Sequence, residues 1–568
     1  MTENKQQLEA VEHIKSDSNY LRGTIAKELL NDITGSITED DTQLTKFHGI
    51  YQQDDRDLRK ERSQQKLEPL YSFMIRARVP GGICTPQQWL AIDDMADTYA
   101  NGSIRITTRQ AFQFHGVIKT KLKRTVAAIN QHLMDTIAAC GDVNRNVMCT
   151  ANPELSSVHQ KVYETAQAIS DHLTPQTSAY HEIWLDGKKV ITEPTQDHEP
   201  IYGKTYLPRK FKTAVVIPPD NDVDVLAHDL GFVAVINNQE LLGFNVTVGG
   251  GMGSTHGDPK TFPLLAHTLG FCLPDQVLEV AENIVKIQRD FGDRTNRKHA
   301  RFKYTVDDHG IDWVRDQLLE RMEVPLKPAH EVEFSHNGDR FGWRENQDGS
   351  WNHTLFIANG RVIDNDNLKL KSALREIAAV HSGDFRLTAN QNLIIAQVQP
   401  NQKSAINTLL EKYQVTTAIS ATRKLSMACV AFPTCTLAMA EAERYLPDLI
   451  SEIEALQQKH GILERGIMVR MTGCPNGCAR PFIAEIGFVG KALGRYNMYL
   501  GGAINGNRLN QLYEENINEA QILKKLDQII GHYANEGESN EAFGDFVIRL
   551  GYVKKVKHGS EVNLKIIT

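Results

Sequence analysis

The sequence predicts an α+β chain built twice over, with a duplicated, pseudo-two-fold architecture. Three observations predict it. The first is an internal repeat, the feature to seek first in a long chain. Ser103-Ile104-Arg105-Ile106-Thr107-Thr108-Arg109-Gln110-Ala111-Phe112-Gln113 lines up with Asp384-Phe385-Arg386-Leu387-Thr388-Ala389-Asn390-Gln391-Asn392-Leu393-Ile394. Further on, Asn146-Val147-Met148-Cys149 takes the place of Ser426-Met427-Ala428-Cys429, and Gly231-Phe232-Val233 that of Gly487-Phe488-Val489. Phe244-Asn245-Val246-Thr247-Val248-Gly249-Gly250 likewise matches Tyr496-Asn497-Met498-Tyr499-Leu500-Gly501-Gly502, in the same order. The second observation is that each copy opens strand, helix, strand and then enters a larger α/β segment. The third is size: 568 residues exceed what one hydrophobic core can organise.

The elements follow in order. Residues 1 to 66 are polar and charge-rich, with helices expected at Gln6–Ile14 and Tyr20–Leu30. The mixed charges of Phe47 to Arg62 read either as an arm wrapped on the body or as a docking segment for a partner. Phe73 to Val79 is strand-like and ends in the turn Pro80-Gly81-Gly82. Thr85 opens a helix to about Ala100, with Pro86 in its first turn, and Ser103–Thr107 is a strand. The second copy has strands at His353–Ile357, Arg361–Ile363 and Phe385–Thr388 and a helix at Lys371–His381. Two such half-units could pair into one domain. The first larger segment holds helices Val126–Ala139, Gln160–His172 and Leu273–Phe291, with strands Lys212–Ile217 and Leu242–Val248. The second holds helices Leu437–Lys459 and Glu519–Asn535, with strands Gly466–Met471 and Glu485–Val489. Leu318 to Gly342, with Pro325 and Pro328, is the expected linker between the halves.

Composition excludes several classes. At 41% apolar, 23% charged and a formal net charge of −7, the chain has no overall bias toward nucleic acid. The start is polar, without a signal-peptide core, and no apolar run is long enough for a membrane span. Eight cysteines make no disulfide framework, which fits a reducing cytoplasm. The run Val248-Gly249-Gly250-Gly251-Met252-Gly253 fails the dinucleotide fingerprint, because Ser254 or His256 falls where the third glycine belongs. A redox centre in this chain would therefore draw electrons from another protein.

Four cysteines carry the chemistry. Cys429 and Cys435 form C-x5-C; Cys474 and Cys478, in Thr472-Gly473-Cys474-Pro475-Asn476-Gly477-Cys478, form C-x3-C. Four thiolates can hold one zinc or one iron–sulfur cluster. The wide first spacing favours a cluster over a structural zinc site, whose arms are tighter. Gly473, Pro475 and Gly477 keep the second pair's backbone non-helical.

These motifs together resemble the sulfite and nitrite reductase hemoprotein family, over nearly all of residues 20–568. The resemblance implies a [4Fe–4S] cluster on Cys429, Cys435, Cys474 and Cys478, with Cys478 also bridging to the iron of siroheme and Asn476 beside it. It implies two ferredoxin-like half-domains pairing into one domain, flanked by two related α/β domains. The expected boundaries are 1–66 for an N-terminal extension, 67–138 and 331–410 for the half-domains, 139–330 for a siroheme and substrate domain, and 411–568 for the cluster domain.

Cations are concentrated in an otherwise acidic chain: Arg76 and Arg78; Arg105 and Arg109; Arg145; Lys204, Arg209, Lys210 and Lys212; and Arg294, Arg297, Lys298, Arg301 and Lys303. Singly, each reads as a solvated charge; together they suit a polyanion such as siroheme, whose carboxylates guanidinium binds bidentately. The resemblance makes Arg78, Arg145, Lys210 and Lys212 a cage for the substrate anion. It makes Arg105, Thr107, Arg109, Gln113 and His115 contacts to siroheme. Lys210 and Lys212 alternate along an expected strand and so face one side. The second copy has Asn390 and Ala396 where the first has Arg109 and His115, so one active and one vestigial site are expected. Lys212 stands where nitrite-reducing relatives tend to carry Asn, which favours sulfite. The N-terminal run resembles the NADPH-type branch. That branch implies a hetero-oligomer with a flavoprotein subunit carrying FAD, FMN and the NADPH site, and sulfide production for cysteine biosynthesis. A ferredoxin-dependent sulfite or nitrite reductase and a four-cysteine zinc protein are the competing readings.

Overall fold

A computed structural model describes residues 7–152, 158–176, 184–185, 188–189, 199–415 and 418–564. Its architecture is two matched pairs of five-stranded sheets. In the first half the antiparallel order is Ile50–Asp54, Tyr71–Ala77, Phe112–Val117, Ile104–Ile106 and then Arg361–Val362, which comes from the second half. In the second half it is Gly342–Glu345, Trp351–Leu355, Leu393–Val398, Asp384–Leu387 and then Ile83–Cys84, which comes from the first. Each half lends the other a two-residue edge strand, with Arg361 opposite Arg105 and Ile83 opposite Arg386.

The exchange needs backbones at close quarters. A Cβ on Gly82 would lie 2.5 Å from the Leu387 carbonyl, and one on Gly360 2.1 Å from the repeat-related Ile106 carbonyl. Both glycines have positive φ, so the two turns are built alike. The helices Pro86–Tyr99 and Leu370–Val380 pack together beneath these sheets. Thr85 caps the first through a reciprocal pair: its Oγ1 accepts from Gln88 N at 3.1 Å, and Gln88 Oε1 accepts from Thr85 N at 3.0 Å. One apolar core draws on both halves, from Phe73 and Phe112 to Leu374 and Leu393. Trp89 is fully buried in it, its ring 5.7 Å from Phe112 and 5.0 Å from Phe385. Trp89→Ala is expected to cost about 3–5 kcal/mol, because the void opens where the halves meet and neither can collapse alone. Guanidinium unfolding followed by circular dichroism measures it.

The larger sheets also share one topology. The first runs Met148–Cys149, Thr213–Val216, Leu230–Asn237, Glu240–Val248, His267–Cys272; the second runs Met427–Ala428, Val469–Thr472, Ile486–Ala492, Arg495–Leu500, Gln511–Ile517. In both, the first three strands are parallel and the rest antiparallel. No helix of the described residues is long and apolar enough to cross a membrane.

The structure corrects several expected elements. Gln6 lies outside the described residues, and the first helix is Ala10–Asp17. The Tyr20–Leu30 helix shrinks to Ile25–Glu28, because Asn19, Tyr20 and Leu21 take positive φ. The N-terminal segment is not only an arm: Ile50–Asp54 is an edge strand of the first sheet, and Phe47 and Ile50 are buried. The Val126–Ala139 helix is Leu122–Gln131; positive φ at Leu133 and Ala138 turns the chain beyond it. The Leu437–Lys459 helix starts only at Leu446, because the amides of Met439 and Ala440 both donate to Gly473 O.

Candidate active site

The repeated motif forms a turn whose Thr107 Oγ1 accepts from the amides of Arg109 and Ala111, each at 3.2 Å. Thr107 thus braces the turn and presents no free hydroxyl proton acceptor. Gln110, at φ 51°, donates to Cys149 O at 2.8 Å and Leu387 O at 2.9 Å and ties the two halves together. Arg109 is buried. Its Nη2 reaches Asn146 O, while Nε and Nη1 find no partner among the described residues. Burial first, then the neighbouring Arg145 and Arg480, lower its pKa to about 9. His115 is buried with neither ring nitrogen partnered, and desolvation, then Arg361 and Arg105, holds it neutral. Arg105 lies against Glu443, Nε to Oε2 2.9 Å, and donates to Ala428 O at 3.1 Å, next to Cys429. With its side-chain oxygen turned toward Arg76, Gln113 accepts from Arg76 Nε at 3.2 Å.

Of the four expected cage cations, three converge. Arg145 donates to Tyr51 Oη at 3.3 Å and to Gly141 O at 3.2 Å. The side chains of Lys210 and Lys212 make no hydrogen bond or ion pair with any described residue, while the Lys212 carbonyl accepts from Leu230 N at 3.1 Å. Both pKa values are held well below the ordinary lysine range. For Lys210 the causes are burial, then Arg209, Arg145 and Arg301; for Lys212 they are burial, then Lys210, Arg301 and Arg109. Arg209, also without an ion pair among the described residues, drops to about 10 through burial and Arg297.

Arg78 is the exception. Its Nε and Nη2 grip Asp135 at 3.1 and 2.7 Å, and Nη1 donates to Ser170 Oγ and Thr174 Oγ1, each at 2.8 Å. Those four bonds spend four of its five N–H groups within the fold. Strand alternation puts residues 76 and 78 on one side only while the strand lasts, and this one ends at Ala77. Arg76 is the cation of that pair that faces the site: it bonds Gln113 and Cys140 Sγ (3.1 Å) and its charge acts on Arg109 and His115. The 294–303 cluster also disperses. Arg294 pairs with Glu12, Arg297 with Asp142 and Arg301 with Asp229, while Lys298 is exposed. Lys303 Nζ donates to the carbonyls of Gly251 (3.1 Å), Gly253 (2.6 Å) and Phe262. These are structural charges that brace the glycine run.

That run explains itself against the second cysteine loop. A Cβ on Gly253 would stand 3.2 Å from Asn476 O, and one on Gly477 2.9 Å from Met252 O. Ser254 N donates to Pro475 O at 2.9 Å. The cysteines come together because the parallel strands Met427–Ala428 and Val469–Thr472 end at one edge. Cys429 and Gly473-Cys474 follow directly, and Gly473 N donates to Cys429 Sγ at 3.3 Å. Asn476 Nδ2 reaches Cys474 Sγ at 3.5 Å, so this side chain addresses a cysteine. Cys478 is exposed, and its carbonyl accepts from Thr108 Oγ1 at 3.0 Å. Burial, then Cys478 and Cys474, pushes the Cys429 thiol up; four thiolates cannot crowd here without a cation. Among the described residues no set of three His, Cys, Asp or Glu side chains converges on a single-ion site. Cys478 also acts on Lys210 and on Arg105, which joins the cysteines, the cage and the repeat motif in one site.

Sequence reasoning missed Arg480 and Asp224. Arg480 Nη1 donates to Thr108 O at 3.0 Å and Nη2 to Ala389 O at 2.9 Å, while its Nε and Arg470 Nη1 (2.7 Å) both pair with Asp224. The pair locks the Cys478 strap onto both copies of the repeat motif. Its only sequence signal is an arginine two residues after a cysteine.

In the second copy the matching turn is filled from within. Asp339, from the inter-repeat linker, accepts from Thr388 Oγ1 (2.7 Å), Asn390 Nδ2 (3.1 Å) and Asn392 Nδ2 (2.7 Å). Nearby, Asp222 accepts from Thr150 Oγ1 and Ala151 N, each at 3.0 Å, but burial, then the charges of Asp220 and Asp339, raises its pKa to about 8. The folded chain therefore keeps a proton that the unfolded chain releases near pH 4. Stability is unaffected below that pH and falls as pH climbs toward 8, by at most about 6 kcal/mol. Asp222→Asn is expected to flatten the decline of apparent Tm between pH 5 and 8; Glu485, pushed to about 7 by burial, accounts for part of what persists. Scanning fluorimetry across that range checks it.

Comparison with known proteins identifies the family. The model of the nitrite/sulfite reductase ferredoxin-like half domain matches residues 65–132 and 344–413. That of the nitrite and sulphite reductase 4Fe-4S domain matches residues 164–326, in the first larger segment. The chain belongs to the nitrite and sulphite reductase family. Within the family it is 58% identical over 554 residues to the sulfite reductase [NADPH] hemoprotein beta-component of Oceanobacillus iheyensis, covering 97% of this chain and 96% of that one. It is 57% identical to the protein of the same name from Anoxybacillus flavithermus, covering 97% of each. The solved structure of Mycobacterium tuberculosis NirA protein shares the fold, with a TM-score of 0.79 at 23% identity over 96% of this chain and 97% of that one.

Proposed function

We propose that this chain reduces sulfite to sulfide as the hemoprotein component of an NADPH-type sulfite reductase, with electrons delivered by a flavoprotein partner. The observation that carries the reading is the unpaired cation group Arg209, Lys210 and Lys212, half-buried beside the buried Arg145, with Lys210 within electrostatic reach of Cys478. Cations without counter-ions in a desolvated pocket are a seat for a small anion.

The residues fit the two cofactors. The four cysteines would hold a [4Fe–4S] cluster, and the nitrogens of Arg109 and His115, buried without a partner among the described residues, call for acceptors such as siroheme's carboxylates would provide. When bound, the cluster stores electrons and siroheme supplies the iron to which sulfur binds. The chain's own part is charge and protons. Arg145, Lys210 and Lys212 neutralise and orient the sulfite oxygens. Arginine stays charged throughout, whereas lysines with lowered pKa values can give up protons as each oxygen leaves as water. Gln113 and Cys140 hold Arg76 at the edge of the cage. Nitrite, a smaller anion, fits the same seat as a side substrate.

The test is an absorption spectrum of the purified protein, with iron and acid-labile sulfide assays and sulfite-dependent oxidation of reduced methyl viologen on the same sample. Siroheme bands, about five irons and about four sulfides per chain, and sulfide as product are expected. A colourless protein with one zinc would overturn the reading.

A further inference from the structure

The N-terminal segment does something that neither an arm nor a docking tail requires. Just after the Ile50–Asp54 strand it runs onto the first cysteine loop. Arg56 N donates to Pro433 O at 3.2 Å. Its Nη1 donates to Cys435 O at 2.9 Å and to Ala438 O at 2.6 Å. The guanidinium lies over the Phe432 ring, 4.3 Å from its centroid. One side chain thus binds both ends of the turn that presents Cys435.

The charge is as telling as the bonds. The nearby acids are bonded elsewhere, Asp54 to Arg59 (2.6 Å), Asp55 to the amides of Asp57 and Leu58, and Asp57 to Arg444 (2.7 Å), and Asp54 and Asp57 reach Arg56 only through their charge. Among the described residues no carboxylate forms an ion pair with Arg56. Its positive charge is half-buried and acts on Cys435. Reducing a thiolate-bound cluster adds negative charge, and hydrogen bonds and charges around the sulfurs set its potential.

We propose that Arg56 is a positioning residue for the iron–sulfur cluster: it fixes the Cys435 turn and, by its positive charge held against that turn, favours the reduced cluster. The inference rests on the cluster reading above and goes beyond it, because it makes the N-terminal segment part of the electron-storing site. The two roles separate by substitution. Arg56→Lys keeps the charge but gives up the double grip on Cys435 O and Ala438 O and the planar stacking. Arg56→Gln keeps a donor but loses the charge.

The experiment is a potentiometric titration of the cluster followed by electron paramagnetic resonance in the full-length chain. Hydrogen exchange of residues 429–440 is measured in the same variants after cluster removal. Arg56→Gln is expected to lower the reduced fraction at fixed potential about tenfold, a downward shift of about 59 mV for one electron. Arg56→Lys is expected to hold its potential within a factor of about three, under half that shift, while exchange in the turn speeds up in both variants. An Arg56→Gln potential equal to wild type overturns the electrostatic role, and unchanged exchange in both variants overturns the positioning role. A wild-type chain without acid-labile sulfide overturns the cluster reading itself, and is seen before any variant is made.

Discussion

Replacing Lys210 or Lys212 by glutamine is expected to slow sulfite reduction about 10²–10³-fold, the range seen when one preorganised donor to a developing charge is removed. Both side chains lack partners in the fold, so truncating the charge breaks no hydrogen bond and stability should change little. The loss therefore belongs to the reaction. Each lysine does two things, and they fail differently. As a cation it holds the anion, so KM for sulfite rises. As an acid it donates a proton, so kcat falls. The lowered pKa values add a pH signature. With burial and Arg209 depressing Lys210, and burial and Lys210 depressing Lys212, the alkaline limb of the wild-type profile should fall below the ordinary lysine range. Bound sulfite works against that depression, so the limb should lie higher in kcat than in kcat/KM. Lys212→Asn refines the test: it should lower sulfite turnover about tenfold more than nitrite turnover, since nitrite carries less charge and fewer oxygens to remove. Equal losses on both anions would take specificity away from this position. Unfolding curves and cofactor spectra of each variant separate a damaged cage from a damaged protein.

Much of the fold is legible in the sequence because duplication writes it twice. The repeat motif, the equivalent cysteines and the glycine-rich strand ends fall on equivalent elements of sheets with one topology. What escapes is whatever lacks local periodicity. The exchanged strands Ile83–Cys84 and Arg361–Val362 are two residues long and carry no pattern of their own; only packing against the other copy makes them strands. Leu437 to Tyr445 looks helical by composition, but its amides serve Gly473 and the cysteine loop instead. Ile50–Asp54 reads as polar, with Gln52, Gln53 and Asp54, yet Ile50, Gln53 and Asp54 are all buried against the body. In the site, alternation correctly groups Lys210 with Lys212 but cannot separate Arg76 from Arg78. That choice depends on where the strand ends and on Asp135, far along the chain. Asp224 with Arg470 and Arg480 is invisible for the same reason: two long-range ion pairs leave no mark in a window of neighbours.

Replacing Cys478 by alanine is expected to abolish sulfite reduction, by more than about 10³-fold, with the chain still folded. The structure supports both halves of that expectation. Cys478 is exposed and its thiol bonds to nothing in the fold; the strap it rides on is held by main-chain contacts, Thr108 Oγ1 to its carbonyl and Arg480 to Thr108 O. Circular dichroism should therefore remain close to wild type. The other three cysteines are more enclosed, and burial, then the Cys478 charge, raises the pKa of Cys435, as burial and the neighbouring cysteines do for Cys429. Losing the outer thiolate should remove the ligand nearest Lys210 and lower iron and acid-labile sulfide together, in step with activity. Cys149→Ala is the matched control. Cys149 occupies the place in the first copy that Cys429 holds in the second, but it is sealed in the core, and burial drives its thiol far out of the titrating range. Its removal should cost about 1–2 kcal/mol of stability through a small cavity, with iron, sulfide and turnover unchanged. If Cys478→Ala instead keeps full iron, sulfide and activity, the cluster does not depend on this thiolate and its four-cysteine assignment fails.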